Sequence, residues 1–175
     1  DSKEGQYLTS MFAFRGLTAE DVMTPRTVIT SLQADLTIED AVNIQPAIEF
    51  SRIPIFNKGQ DDIIGFIRKD DLYEQAVSGD TQKKIRSLKR DLLSIPSTKD
   101  LPSLMQTMVD DRHPMALIVT EYGDPLGLAT MEDLVETMLG MEIVDESDSF
   151  IDMQARAREL WRQRAKTSGL FVEKE

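Results

Sequence analysis

Ile53-Pro54-Ile55-Phe56, a polar loop, then Ile63-Ile64-Gly65-Phe66-Ile67-Arg68-Lys69-Asp70-Asp71-Leu72 is the stretch that decides the fold, because the chain carries it twice. Its second appearance is Ala116-Leu117-Ile118-Val119, a loop, then Leu126-Gly127-Leu128-Ala129-Thr130-Met131-Glu132-Asp133-Leu134. Pro54 and Ala116, Gly65 and Gly127, and Asp71 and Asp133 are each 62 positions apart, so three anchors share one register. A fixed spacing of this size marks a duplicated supersecondary unit.

Working outward, each half acquires the same order of elements. In the first, Val28–Leu32 predicts a short strand, and Thr37-Ile38-Glu39-Asp40 is a capping-box pattern opening a helix with Ile38, Ala41 and Val42 on one face. Ile53–Phe56 and Ile63–Ile67 predict a hairpin around the turn residues Asn57–Asp61. A helix from about Lys69 to Ser78 stops at Gly79. In the second half, Leu92–Ile95 predicts a strand ending at Pro96, and Leu101, Leu104, Met105 and Met108 recur at helical spacing. Met115–Thr120 and Leu126–Thr130 flank the turn Glu121-Tyr122-Gly123-Asp124-Pro125, and a helix from Met131 closes at Gly140.

The fold expected is α+β: two β-α-β-β-α repeats packed sheet to sheet as a pseudo-symmetric pair. Neither half, at about 60 residues, buries enough surface to be comfortably stable alone. The boundaries that follow are a linker over 1–17, one domain over 18–79, a connector over 80–90, a second domain over 91–141, and an acidic link with a C-terminal helix and tail over 142–175. In that last part Ser149–Ser168 reads as a helix with Ala157, Leu160, Trp161 and Arg164 on one side, a packing or partner face.

Bulk chemistry narrows the function. A net charge of −11 would repel a polyanion, so a nucleic-acid partner is not expected. A small anionic ligand remains open, because one arginine or a bound Mg²⁺ reverses the field locally. The absence of cysteine removes disulfides, thiolate metal sites and cysteine nucleophiles. The single histidine, His113, argues against a histidine metal centre or a serine triad and reads as packed, so no catalytic residue is assigned. No run of about 18 apolar residues occurs, so no membrane-spanning helix is expected. The opening Asp1-Ser2-Lys3-Glu4-Gly5 lacks an initiator Met and a signal-peptide pattern, which reads as a fragment of a longer protein. The acidic run 142–148 lacks the spacing of a dedicated calcium loop and reads as a solvated link.

The repeat order, with a Gly-apolar-apolar-Thr-x-x-Asp sequence opening the last helix, resembles a tandem pair of cystathionine-β-synthase (CBS) domains. Asp21-Val22-Met23-Thr24-Pro25-Arg26, Ser51-Arg52-Ile53-Pro54-Ile55-Phe56, Glu121-Tyr122-Gly123 and Thr130-Met131-Glu132-Asp133-Leu134 resemble the CorC/HlyC and cyclin M group of magnesium and cobalt transporters over residues 18–148. The acidic Glu142, Asp145 and Glu146 after the last helix also match that group. The resemblance implies a non-catalytic regulatory module on the cytoplasmic side of an inner or plasma membrane. It further implies a homodimer through the CBS domains and attachment to a transmembrane domain of the same full-length chain. The ligand it implies is an adenosine nucleotide in the cleft between halves: ATP, with AMP, ADP and S-adenosylmethionine as alternatives, and any Mg²⁺ carried by the nucleotide.

By that resemblance the nucleotide-binding residues are Thr24, Arg52, Ile53, Thr130, Glu132 and Asp133. The spacing supplies a physical reason: a hydroxyl at a strand end and a carboxylate three residues on project toward one point. Asp133 can accept from a ribose diol while Thr130 and the helix start face phosphate. Charge-assisted bonds of this kind contribute roughly 1.5–3 kcal/mol each. The resemblance places Arg52 near the phosphates and Thr24 along the cleft wall. Each has a plainer reading too: Thr130 and Asp133 as a helix cap, Arg52 as a surface ion pair, Thr24 as a turn residue before Pro25. The first half departs from the pattern, with Arg68 where the second has Thr130. One nucleotide site per chain is therefore expected, at Asp133 and not Asp71. The alternative function is a dimerisation module indifferent to nucleotides.

Overall fold

The computed structural model describes residues 3–44 and 49–140. The chain opens with helices α1 (Lys3–Phe14) and α2 (Ala19–Val22) and the short strand β1 (Thr24–Pro25). The first repeat is β2 (Leu32–Gln33), α3 (Ile38–Val42), β3 (Arg52–Phe56), β4 (Ile63–Arg68) and α4 (Lys69–Val77). The second is β5 (Leu93–Pro96), α5 (Leu101–Asp110), β6 (Met115–Val119), β7 (Pro125–Thr130) and α6 (Met131–Leu139). The β-α-β-β-α order expected from the duplicated stretch is therefore present twice. The acidic run 142–148 and the helix read over Ser149–Ser168 lie outside the described residues.

The two repeats build like sheets. In each, the leading strand lies parallel to the first hairpin strand, and the hairpin itself is antiparallel: β2-β3-β4 in one sheet and β5-β6-β7 in the other. The parallel pairing follows from the helix between those strands, which returns the chain in the same direction. Both hairpins carry a register shift at the same place, after Ile55 and after Ile118. That detail corrects one anchor of the sequence register. Ile53 pairs with Ile67 and Ala116 with Ala129, so the structural counterpart of Ala116 is Ile53 and not Pro54. The first hairpin loop is one residue longer, which shifts its leading strand by one position against the second.

Each repeat has its own core. Leu32, Ile38, Ala41, Ile53, Ile55, Ile67, Leu72 and Ile85 make the first, and Ile95, Leu101, Leu104, Met108, Ala116, Ile118, Ala129 and Leu134 the second. A third cluster joins them: Phe66 of β4, with Met115 and Leu128 of the second sheet, closes the space between the sheets. Phe66 and Leu128 are the 62-spaced equivalents of one another, so the pair meets about its own pseudo-twofold relation. The faces that neither repeat could leave in water are thereby buried against each other.

The segments ahead of the repeats cross over. Chain order assigns residues 18–25 to the first repeat and 80–90 to a connector. In space, Thr24 and Pro25 pair with Leu128 and Gly127 of the second sheet, and Ala19 and Val22 enter the second core. Reciprocally, Ile85 lies in the first core, and Phe66 and Arg90 exchange backbone hydrogen bonds at 3.0 and 2.8 Å. The lead-in of each repeat thus packs on the other. The strand expected at Val28–Leu32 is cut short for this reason. After β1 the chain makes a 3-10 turn at Arg26–Val28, Ile29 fills the inter-sheet cluster, and only Leu32 and Gln33 reach β3.

Within the segment expected as a linker over 1–17, twelve residues form α1. Phe14 anchors it in the second core, and Ser10 lies against Gly140 at the end of α6. Leu8, Met11 and Phe12 of the same helix are exposed, so no buried apolar stripe announces it. With Met105, Val109 and Met138 they line an apolar cavity of about 560 Å³ on the outer helical face. No described helix is long and apolar enough to cross a membrane.

Two glycines make the crossover possible. A Cβ on Gly127 would stand 2.4 Å from the Thr24 carbonyl oxygen, and one on Gly65 would stand 2.5 Å from that of Arg90. Gly127→Ala and Gly65→Ala are each expected to destabilise the fold by about 1–3 kcal/mol through overpacking against backbone. Gly59→Ala, with nothing within 4 Å, is expected to stay within about 0.5 kcal/mol. Urea unfolding measures all three, and a Gly127→Ala protein as stable as the parent would contradict the crossed packing.

Candidate functional site

Three helix starts among the described residues share one Thr-x-x-Asp pattern. Thr18 donates its backbone N–H and hydroxyl to Asp21 Oδ2 at 2.7 and 3.0 Å. The Thr37 hydroxyl donates to Asp40 Oδ2 at 2.7 Å and accepts the Asp40 N–H at 3.1 Å. Thr130 repeats this at the β7–α6 junction: its N–H and hydroxyl donate to Asp133 Oδ2 at 2.8 and 2.7 Å, and the hydroxyl accepts the Asp133 N–H at 3.2 Å. Thr-x-x-Asp is therefore first a capping box, satisfying backbone donors that the first helical turn leaves over. At α5 the same task falls to Asp100, which accepts the Ser103 N–H at 2.9 Å. That bond holds its carboxyl below the usual carboxylate range.

The start of α6 differs from the others in what comes to it from across the molecule. Arg52, at the first position of β3, sends Nη1 to Glu132 Oε1 at 2.8 Å, an ion pair between residues of different repeats. Both side chains are about one-third exposed, at 31% and 37%. The second carboxylate oxygen, Glu132 Oε2, is buried and receives no hydrogen bond from the described residues. Thr24 is nearly fully buried on β1 and pairs with Leu128, two residues along β7 from Thr130. Around the first turn of α6 the fold thus gathers Arg52, Thr130, Glu132 and Asp133, with Thr24 on the neighbouring strand. The side chain of Ile53, next to Arg52 on β3, is fully buried in the first core.

The equivalent turn in the first repeat is occupied by its own charges. Arg90 holds Asp71 Oδ2 through Nη2 at 2.8 Å and Nε at 3.3 Å. Arg68 places Nη1 3.9 Å from the other oxygen of Asp71 and Nη2 3.2 Å from Asp70. Two guanidinium groups therefore neutralise the carboxylate that corresponds to Asp133. The role of Arg68 as a cation at the Thr position was readable from the sequence. Arg90 was not, because the basic stretch Lys83–Arg90 reads as a connector and its return to the first sheet depends on the crossover. The one signal pointing to it is the concentration of Lys and Arg directly ahead of the second repeat. His113 is half-buried between α5 and β6, its N–H bonded to the Met108 carbonyl at 2.9 Å, a packing position.

Two sheets of like topology, crossed lead-ins and paired Thr/Arg-x-x-Asp helix starts agree with the profile of the CBS domain, which matches residues 19–78 and 84–140. The chain belongs to the CBS domain family. Its two matched segments make it a CBS pair, a regulatory and not a catalytic family. A UPF0053 protein of Synechocystis sp. is 33% identical over 158 residues, covering 90% of this chain and 45% of its own length. The CBS-domain structure of a hemolysin-like protein of Oenococcus oeni is 32% identical with a TM-score of 0.70, covering 75% of this chain and 97% of that one. The CBS domain of a bacterial CNNM/CorC family Mg²⁺ transporter, solved in complex with ATP, is 26% identical with a TM-score of 0.74, covering 81% of this chain and 100% of that one. The resemblance to the CorC/HlyC group is thus shown by its homologues and its structural neighbours. The chain spans 32–48% of the length of such curated relatives.

Within the CBS pair, Thr130→Val keeps the shape of the side chain and deletes both hydroxyl bonds of the cap. It is expected to cost about 1 kcal/mol of stability and lower the melting temperature by roughly 2–5 °C. An unchanged melting temperature in calorimetric scanning would remove the capping role.

Proposed function

We propose that this CBS pair is a nucleotide sensor. It takes an adenosine nucleotide, as Mg-ATP, at the first turn of α6, and its occupancy regulates a membrane ion-transporter domain in the same full-length polypeptide. The observation that carries the proposal is the asymmetry between the two helix starts. At α6 a cation from the other repeat, Arg52, stands beside the Thr130–Asp133 cap, whereas at α4 the corresponding carboxylate is taken by Arg68 and Arg90. The chemistry fits the ligand. A carboxylate such as Asp133 is an acceptor suited to a ribose diol, Arg52 offers a guanidinium to phosphate, and the N-terminal end of a nine-residue helix favours an anion. An ATP complex of a similar CBS domain from a bacterial Mg²⁺ transporter supports the same choice.

Regulation follows if the two conformations of the whole protein differ in their affinity for the nucleotide. The pair is proposed to act as a homodimer on the cytoplasmic side of the membrane, the arrangement in which a soluble sensor meets a nucleotide pool. No catalytic step is part of the proposal. A second reading, a dimerisation module indifferent to nucleotides, is favoured by one observation: Thr130 and Asp133 already satisfy each other, as Thr18 and Asp21 do.

Calorimetric titration with ATP, ADP and AMP, with and without Mg²⁺, separates the two. The sensor reading expects about one ATP per chain, Asp133→Ala weakening it by roughly ten- to a hundredfold, and Asp71→Ala leaving it within twofold. Absence of binding by any adenosine nucleotide at millimolar concentration, with no rise in melting temperature, would leave the dimerisation module.

A further inference from the structure

Glu132 is bonded at one oxygen and stranded at the other. Its Oε1 holds Arg52, while Oε2 is buried with no donor among the described residues. A carboxylate in that condition is an expensive neighbour for the start of a ligand site in a chain of net charge −11, since it adds negative charge where an anion is to bind. Its positional equivalent in the first repeat, Asp70, behaves differently: it is exposed and pairs with Arg68 of the adjoining strand of its own repeat. Glu132 alone of the two reaches across to the other repeat. The geometry is that of an internal anion seated on a guanidinium.

Resting on the nucleotide reading above, we propose that Glu132 is a built-in competitor for Arg52, a carboxylate that holds the guanidinium until a nucleotide's phosphate chain displaces it. A phosphate seated on Arg52 Nη1 would have to displace Glu132 Oε1, which occupies that donor at 2.8 Å. Binding then replaces a carboxylate–guanidinium pair with a phosphate–guanidinium pair. The same exchange breaks an ion pair between β3 of one repeat and α6 of the other. Occupancy of the site is thereby linked to a contact between the repeats, which is what a sensor needs in order to report that it is filled. Glu132 is on this account a gatekeeper that sets affinity, and not a group that touches the ligand.

The test is a double-mutant cycle read by ATP calorimetry on the whole chain: parent, Glu132→Gln, Arg52→Met and the double variant, each first checked for an unchanged melting profile within a few degrees. Glutamine keeps the shape of Glu132 and removes its claim on Arg52. Competition expects Glu132→Gln to bind ATP about three- to thirtyfold more tightly than the parent, and expects that gain to fall below twofold when Arg52 is Met. A gain that persists in the Arg52→Met background would mean simple relief of negative charge and would overturn the proposal. So would binding that is unchanged or weaker in Glu132→Gln, which would make Glu132 a bystander or a ligand contact. If the parent itself binds no ATP, the nucleotide reading fails, and the competitor role fails with it. If the parent binds and the cycle shows no coupling, only the competitor role is lost.

Discussion

At Gly65 and Gly127 the main chain of one repeat comes so close to the lead-in of the other that no side chain fits between them. Thr24 and Pro25 lie against Gly127, Arg90 lies against Gly65, and the two repeats are laced together at equivalent points. The rest depends on this lacing. It brings the two sheets near enough for Phe66, Met115 and Leu128 to close the space between them. It sets Thr24 on the strand beside β7, and it leaves β3 positioned so that Arg52 reaches the first turn of α6. A pair of independent half-domains joined by a linker would have none of these contacts.

The same local motif acquires different chemistry from what the lacing brings to it. Three Thr-x-x-Asp sequences open three helices, at Thr18, Thr37 and Thr130, and share a hydroxyl-to-carboxylate bond. Local sequence therefore explains the cap and says nothing about a ligand. What distinguishes α6 is a half-buried cation from the other repeat and a carboxylate oxygen left without a donor. At α4 the balance is reversed, since Arg68 and Arg90 supply two cations for Asp71 and leave it no unneutralised charge to offer. Pairing and not net charge tells the two ends apart: at α4 an anion would meet two guanidinium groups held by Asp70 and Asp71, and at α6 a single guanidinium held by Glu132 from the other repeat.

The parts of the fold legible in the sequence were those set by local rules. Apolar runs flanking the turn residues Asn57–Asp61 and Glu121–Pro125 gave both hairpins, and the Thr37 and Thr130 caps gave helix starts to the residue. The parts that were not legible depend on distance along the chain. α1 hides because its apolar residues Leu8, Met11 and Phe12 face outward and only Phe14 is buried. The one-residue offset between β3 and β6 hides because loop length is free to vary while the pairing is set by sheet contacts. Glu132 was read from its motif, but its ion pair with Arg52, like that of Arg90 with Asp71, was not legible, because the partners stand 80 and 19 positions apart and meet only through the crossover. Ile53 shows the converse: it belongs to the right motif, and its place in the strand alternation sends it into the core.

The central claim is that one helix start of the two, that of α6, receives the nucleotide. Amide chemical-shift mapping by NMR during a Mg-ATP titration tests it residue by residue without a variant. The account predicts perturbations concentrated at Thr130–Asp133, Thr24 and Arg52, with Arg68–Asp71 and Arg90 little moved. Perturbations centred on Arg68–Asp71, or shared equally between the two helix starts, would contradict it.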